Sequence, residues 1–173
     1  MTDWTMLTLV GQDRPGIVAR VTRVLCEAGC NLGEASMLRL GGNFTILLMV
    51  SGGACGADLA AVLAPVAAQL GLRVHLDPVQ GGLHQHLVPN VTVRVAGADR
   101  AGIVADVTEI LAEQGFNILE LESDVAGDDA RPVYIMNIEG HCPRTLEDLK
   151  QALSTLAARG VSVAVAAVDL LIG

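Results

Sequence analysis

Two stretches of this chain are nearly the same sentence written twice. Asp13–Asn31, "DRPGIVARVTRVLCEAGCN", and Asp99–Asn117, "DRAGIVADVTEILAEQGFN", align without gaps at an offset of 86 and are identical at 12 of 19 positions. The similarity continues downstream. "NFTILLMVSG" (Asn43–Gly52) aligns with "RPVYIMNIEG" (Arg131–Gly140) once two extra residues are allowed in the intervening turn, and "GLRVHLDPV" aligns with "GVSVAVAAV" near each end. A repeat of this period means that one folding unit occurs twice. The 173 residues therefore predict two small domains, residues 1–80 and 89–173, joined by a linker at 81–88 that holds two glycines.

Each copy reads as strand, helix, strand, strand, helix, strand. In "VTVRVAG", Val91, Val93 and Val95 alternate with Thr92 and Arg94, the period of two expected of a half-buried strand. Ile17, Val18, Val21, Val24 and Leu25 recur at helical spacing, as do Ile103, Val104, Val107, Ile110 and Leu111. Gly29 and Gly115 stand where left-handed helix ends are expected, and Gly41-Gly42 predicts a tight hairpin. The corresponding turn of the second copy, "AGDDARP", reads as longer and acidic. The second helix of copy one, about 57–70, contains Pro65 and is expected to kink or break there; its partner, about 145–158, has no such fault. This order predicts an α+β fold: two ferredoxin-like βαββαβ domains, each an antiparallel sheet with helices on one face. The other sheet face is only partly polar, which predicts pairing of the two copies or of two chains.

Composition narrows the function. Hydrophobic residues make up 51% of the chain, yet no apolar run approaches the ~20 residues of a membrane span. The N-terminus has an early acid and no basic segment, so it does not read as a signal peptide, and a soluble cytoplasmic protein is expected. The formal net charge of −8 divides unevenly, −1 over residues 1–80 and −7 over residues 81–173. Such a surface repels phosphate backbones, no Lys/Arg-rich run exists, and the four aromatic residues offer no stacking platform, so direct nucleic-acid binding is not expected.

The repeated "DR(P/A)GIV" is the remaining puzzle, because a glycine in the opening turn of a helix costs roughly 1 kcal/mol against alanine. One reading is structural: Asp13 caps the helix, Pro15 preorganises its first turn, and Gly16 permits close packing on the sheet. The other is functional. A bare backbone at a helix N-terminus offers free amides and a partial positive charge to an anion. A small zwitterion would suit, its carboxylate on the amides and its ammonium toward Asp13, with Asn31 as a further polar partner.

These residues carry a resemblance. A strand, then Asp-Arg-(Pro/Ala)-Gly-Ile, a helix, and Gly-x-Asn-(Leu/Ile) is similar to the opening of the ACT domain, a small-ligand regulatory module, and it occurs here in both copies. Two ACT domains with no catalytic domain attached resemble the glycine cleavage system transcriptional repressors. The resemblance implies association of domains through sheets or helices, as a homodimer or within the chain, and binding of a small amino acid such as glycine or serine at their interfaces. Carried onto this chain, the ligand residues are Gly11, Asp13, Gly16, Asn31 and Leu32 in copy one and Gly97, Asp99, Gly102, Asn117 and Ile118 in copy two. Copy two departs in having Ala101 for the proline, and both copies have Asp where several amino-acid binders have Asn, which adds a negative charge beside a ligand carboxylate. The implied function is non-catalytic: an amino-acid sensor acting on transcription indirectly, through a protein partner such as a transcriptional activator. The competing expectation is a ligand-free interaction module serving an enzyme as its regulatory subunit.

Other constellations carry less. Cys26 and Cys30 stand four apart, as on one helical face, and His84, His86, His141 and Cys142 are further metal-ligand types, but no CxxC occurs and the cysteines read as small buried hydrophobes. Cys55 is the fourth cysteine. Glu120 and Glu122 share a strand face and read as surface charge rather than a catalytic pair. No G-x-S-x-G, phosphate-binding loop or dinucleotide fingerprint is present, so no catalytic residue, metal or cofactor is expected.

Overall fold

The structure is a computed structural model that describes residues 4–53, 58–79, 87–98, 101–128 and 131–168. It divides into two compact units, Met1–Leu83 and His84–Gly173. Residues 81–86 of the expected linker, with His84 and His86, lie outside the described residues, as do Cys55 and Asp99.

Unit 1 runs β1 (Trp4–Gln12), α1 (Ile17–Glu27), β2 (Asn31–Leu40), β3 (Asn43–Ser51), α2 (Leu59–Leu70) and β4 (Arg73–Val79). Its antiparallel sheet has the order β2-β3-β1-β4. Unit 2 repeats the plan with β5 (Val91–Ala98), α3 (Ile103–Glu113), β6 (Asn117–Asp128), β7 (Arg131–His141), α4 (Leu146–Leu153) and β8 (Val161–Ala167), in the order β6-β7-β5-β8. Both are the expected βαββαβ unit.

Alternation explains the cores. Leu7 and Leu9 of β1 and Phe44, Ile46, Leu48 and Val50 of β3 point one way, onto Ile17, Val21 and Leu25 of α1 and Leu59, Leu63 and Leu70 of α2. Burial of such side chains is worth roughly 1.5–3 kcal/mol each and is what holds the helices to the sheet. Val91, Val93 and Val95 face inward in unit 2 with Met136 and Ile138, against Ile103, Val107 and Leu111. Val18 and Val104 do not join this stripe: each is 40% exposed, because the residue next to Ile17 or Ile103 is turned about 100° away around the helix. The edge strand β2 is exposed along its whole length.

Turn chemistry falls where the glycines stand. Gly41 and Gly42 both have positive φ and form a two-residue loop closed by the Leu40–Asn43 pair, and Gly29 and Gly115 turn the chain out of α1 and α3. Four expectations are corrected. In unit 2 the extra hairpin residues extend the ladder, through Ala126–Val133, Gly127–Pro132 and Asp128–Arg131, rather than enlarging the turn. Pro65 does not interrupt α2, which is continuous over twelve residues because the burial of Leu63, Val66, Ala67 and Leu70 on either side holds it together. The proline-free partner is the one that changes form, from α-helix to a 3-10 helix over Ser154–Arg159. There the Ser154 hydroxyl donates to the Gln151 carbonyl at 2.6 Å and that of Thr155 to Ala152 at 3.1 Å, so hydroxyls three residues on take carbonyls an α-helix would use. Finally, Cys30 does not share a helical face with Cys26. Gly29 has already reversed the chain, leaving Cys26 exposed and Cys30 buried.

Candidate functional site

The site begins where β1 hands over to α1. Gly16 is the N-cap of α1 at φ +88° and ψ −2°, a left-handed conformation, and no side chain caps the helix. A Cβ at Gly16 would meet nothing within 4 Å. Close packing is therefore not the reason for this glycine; the sign of φ is. Asp13 is not the cap either. The first helical bond runs from the Arg20 N–H to the Gly16 carbonyl at 3.0 Å, which leaves the amides of Ile17, Val18 and Ala19 at the helix start without intrahelical acceptors.

These amides border an open hollow of about 430 Å³ lined by Asp13, Gly16, Val18, Met37 and Phe44 among others. Val18, turned outward on α1, lines this hollow. The Asp13 N–H donates to the Gly42 carbonyl at 3.1 Å, which ties the loop to the β2–β3 turn. Its carboxylate pairs with the Arg39 guanidinium at 2.5 Å. Arg39 sits near the end of β2, opposite Phe44, and nothing in the linear sequence links it to Asp13. The guanidinium offsets the negative charge that Asp13 places beside the start of α1. Arg14 turns aside and donates to the Gln12 side chain at 2.8 Å.

Unit 2 repeats the backbone and changes the charge. Gly102 is the N-cap of α3 at φ +93°, again without a side-chain cap, and the Asp106 N–H donates to its carbonyl at 2.8 Å. Asp106 itself adds an acid to the first turn, where α1 has none, and is held by Arg159 at 2.8 Å.

The other expected ligand residues are elsewhere. Gly11 and Gly97 lie on strand ends where the neighbouring strand arrives closely: a Cβ at Gly11 would stand 2.6 Å from a Leu72 methyl carbon, and one at Gly97 3.3 Å from the Gly160 carbonyl oxygen. Asn31 and Leu32 begin β2 beside Ser51 and Val50, whereas Gly11 pairs with Phe44. Seven steps along β3 at about 3.3 Å each place the two sets roughly 23 Å apart, at opposite ends of one sheet. Asn117 and Ile118, paired with His141 and Gly140, are separated from Gly97 in the same way. Within one unit, then, the structure gathers Asp13 and Gly16 and not Asn31 or Leu32. Glu120 and Glu122 are exposed on the outer sheet face, opposite Glu139 and Asn137. Among the described residues no group of three or more His, Cys, Asp or Glu side chains is placed to hold a metal ion.

A twice-repeated βαββαβ unit whose first helix opens on an uncapped glycine defines the small-ligand regulatory modules called ACT domains. The ACT domain model matches residues 5–77 and again residues 91–154, and the chain belongs to this family. Along most of its length it is similar to the glycine cleavage system transcriptional repressor of Escherichia coli, 27% identical over 158 residues, which is 88% of this chain and 83% of that protein. Among solved structures, an unknown protein from Galdieria sulphuraria is 26% identical with a TM-score of 0.74, covering 97% of this chain and 99% of its own. A structure provisionally assigned as a glycine cleavage system transcriptional repressor shares the fold at 21% identity and a TM-score of 0.69, covering 96% and 99%. No helix among the described residues is long and apolar enough to cross a membrane.

Proposed function

We propose that this chain is a non-catalytic, cytoplasmic regulator that senses a small amino acid in the hollow of unit 1 and acts on transcription through a protein partner. The uncapped start of α1 supports this reading most directly. The ligand carboxylate takes the free amides of Ile17, Val18 and Ala19, where the helix dipole favours an anion, and the ammonium lies toward the carboxylate of Asp13. Met37 and Phe44 line the same hollow and suit a short side chain. Unit 1 is the stronger site, because Asp106 puts an acid in the first turn of α3. Asn31 and Leu32 reach this ligand only from another ACT unit. The bound ligand biases a protein arrangement only by binding one arrangement more tightly than another.

A thermal-shift screen of the full chain against the twenty amino acids tests this. A ligand at about 100 times its Kd adds about 2.7 kcal/mol, which raises Tm by several degrees. A hit abolished by Asp13→Ala supports the site, and its further loss in Asn31→Ala brings in the second set. No shift from any amino acid at millimolar concentration rejects the sensor. Copurification with a DNA-binding protein supports action on transcription, whereas copurification with an enzyme rejects it in favour of a regulatory subunit.

A further inference from the structure

The two units treat the same place in the fold differently. In unit 2 the hollow between α3 and the 3-10 helix after α4 is small, about 190 Å³, and Arg159 holds Asp106 across it at 2.8 Å. Glu109 lines the same hollow. The repeat offset of 86 puts Arg20 and Arg23 of α1 at the positions of Asp106 and Glu109. The corresponding hollow of unit 1, between α1 and α2, is open and about 540 Å³. Val24, Pro65 and Val66 line it, with Arg20, Arg23 and Gln69 as its polar side chains. Arg20 donates to the Gln69 side chain at 2.6 Å, so a neutral amide stands where unit 2 has an ion pair. Among the described residues no carboxylate lines this hollow or pairs with either arginine. α2 adds an uncharged surface beside it: Ala60, Ala61, Ala64, Pro65 and Ala68 face solvent over about 12 Å of helix. A helix that is apolar all round normally has a neighbour on both sides.

We propose that the α1–α2 face of unit 1 is the surface that takes the protein partner, and that the partner presents to it an acidic amphipathic helix. Apolar side chains at helical spacing lie along α2 and enter the hollow, and carboxylates at the rim meet the guanidinium groups of Arg20 and Arg23. The charge of the whole chain selects among anionic partners. At a net charge of −8 it repels a phosphate backbone at long range, whereas a helix with a few carboxylates on one face needs only the local pair of arginines. The docking rests on the reading that this chain acts through a protein partner, and it does not depend on the amino-acid site at the start of α1.

NMR titration of the isotopically labelled full chain with synthetic peptides tests the proposal. The first peptide is an amphipathic helix with leucine and alanine on one face, flanked by glutamate; the second has lysine for every glutamate. The glutamate peptide should shift the amides of α1 and α2 with a Kd below millimolar that rises with salt. At this face it should bind about tenfold or more tightly than the lysine peptide, and Arg20→Glu with Arg23→Glu should reverse the order. No shift of these amides at millimolar peptide, equal affinity for the two peptides, or an order unchanged by the reversal overturns the proposal. So does sedimentation velocity that shows a wild-type dimer dissociated by the reversal, since a second copy would then cover the face. If circular dichroism shows that the reversed chain does not fold, Arg20→Gln with Arg23→Gln decides, and salt dependence equal to wild type overturns the docking. A DNA-binding protein that copurifies equally with wild-type and reversed chains rejects this face and leaves the partner reading standing.

Discussion

Gly16→Ala isolates the conformational role of the repeated glycine. The added methyl group meets no atom within 4 Å, so no steric clash contributes. The backbone at φ +88° is left-handed, and holding a residue with a Cβ there costs about 1–2 kcal/mol. For a unit of this size that cost lowers Tm by roughly 4–16 °C. The chain has a single tryptophan, Trp4, and it lies on β1, so urea unfolding followed by tryptophan fluorescence reports unit 1. Gly16→Ala should lower the urea midpoint without changing the slope. Gly16→Asn should cost less, since asparagine tolerates the left-handed region better than other residues with a Cβ. A Gly16→Ala midpoint equal to wild type would refute the requirement for positive φ. An asparagine as costly as alanine would place the cost in something other than φ.

Pro65→Ala should stabilise unit 1 by about 1–2 kcal/mol, because a helical N–H is regained at an exposed position while the unfolded chain becomes somewhat freer; the same fluorescence titration reads it. Gly140→Ala should destabilise unit 2 by about 3 kcal/mol or prevent its folding, seen by circular dichroism, because the new methyl group collides with the Phe116 ring and the Asn117 carbonyl. Thr145→Ala should cost about 1 kcal/mol by opening the capping box at the start of α4. In that box the hydrogen bonds from the Thr145 hydroxyl and backbone N–H hold the Asp148 carboxyl below its ordinary value. A lowered folded value means that its contribution is present above the ordinary carboxylate range and is lost as pH falls through the folded value. The stability difference between wild type and Asp148→Asn should therefore be constant near neutrality and shrink in acid; a difference independent of pH counts against the box.

Much of the fold could be read from one dimension because its signals are local. The repeat places both units, the alternation of Val91, Val93 and Val95 marks the strand, and Gly41-Gly42 marks the hairpin. The errors came where neighbours outvote local preference. Pro65 is tolerated by a helix buried on either side of it, and Ser154 and Thr155 alter a helix that no proline interrupts. The site was legible in part. Gly16 advertised a special backbone, but its positive φ and the open space around it are properties of the folded loop.

By itself, then, the sequence determined the duplication, the order of elements and the glycine that opens each first helix, all matters of spacing within a few turns of chain. Tertiary structure alone decided which residues meet. Strand register brings Arg39 to Asp13, while α1, returning along the sheet antiparallel to β1, carries Asn31 to the end of the sheet roughly 23 Å from Gly11. A short helix runs back along the sheet, so residues twenty apart in sequence lie at opposite ends of it, and residues 26 apart become an ion pair.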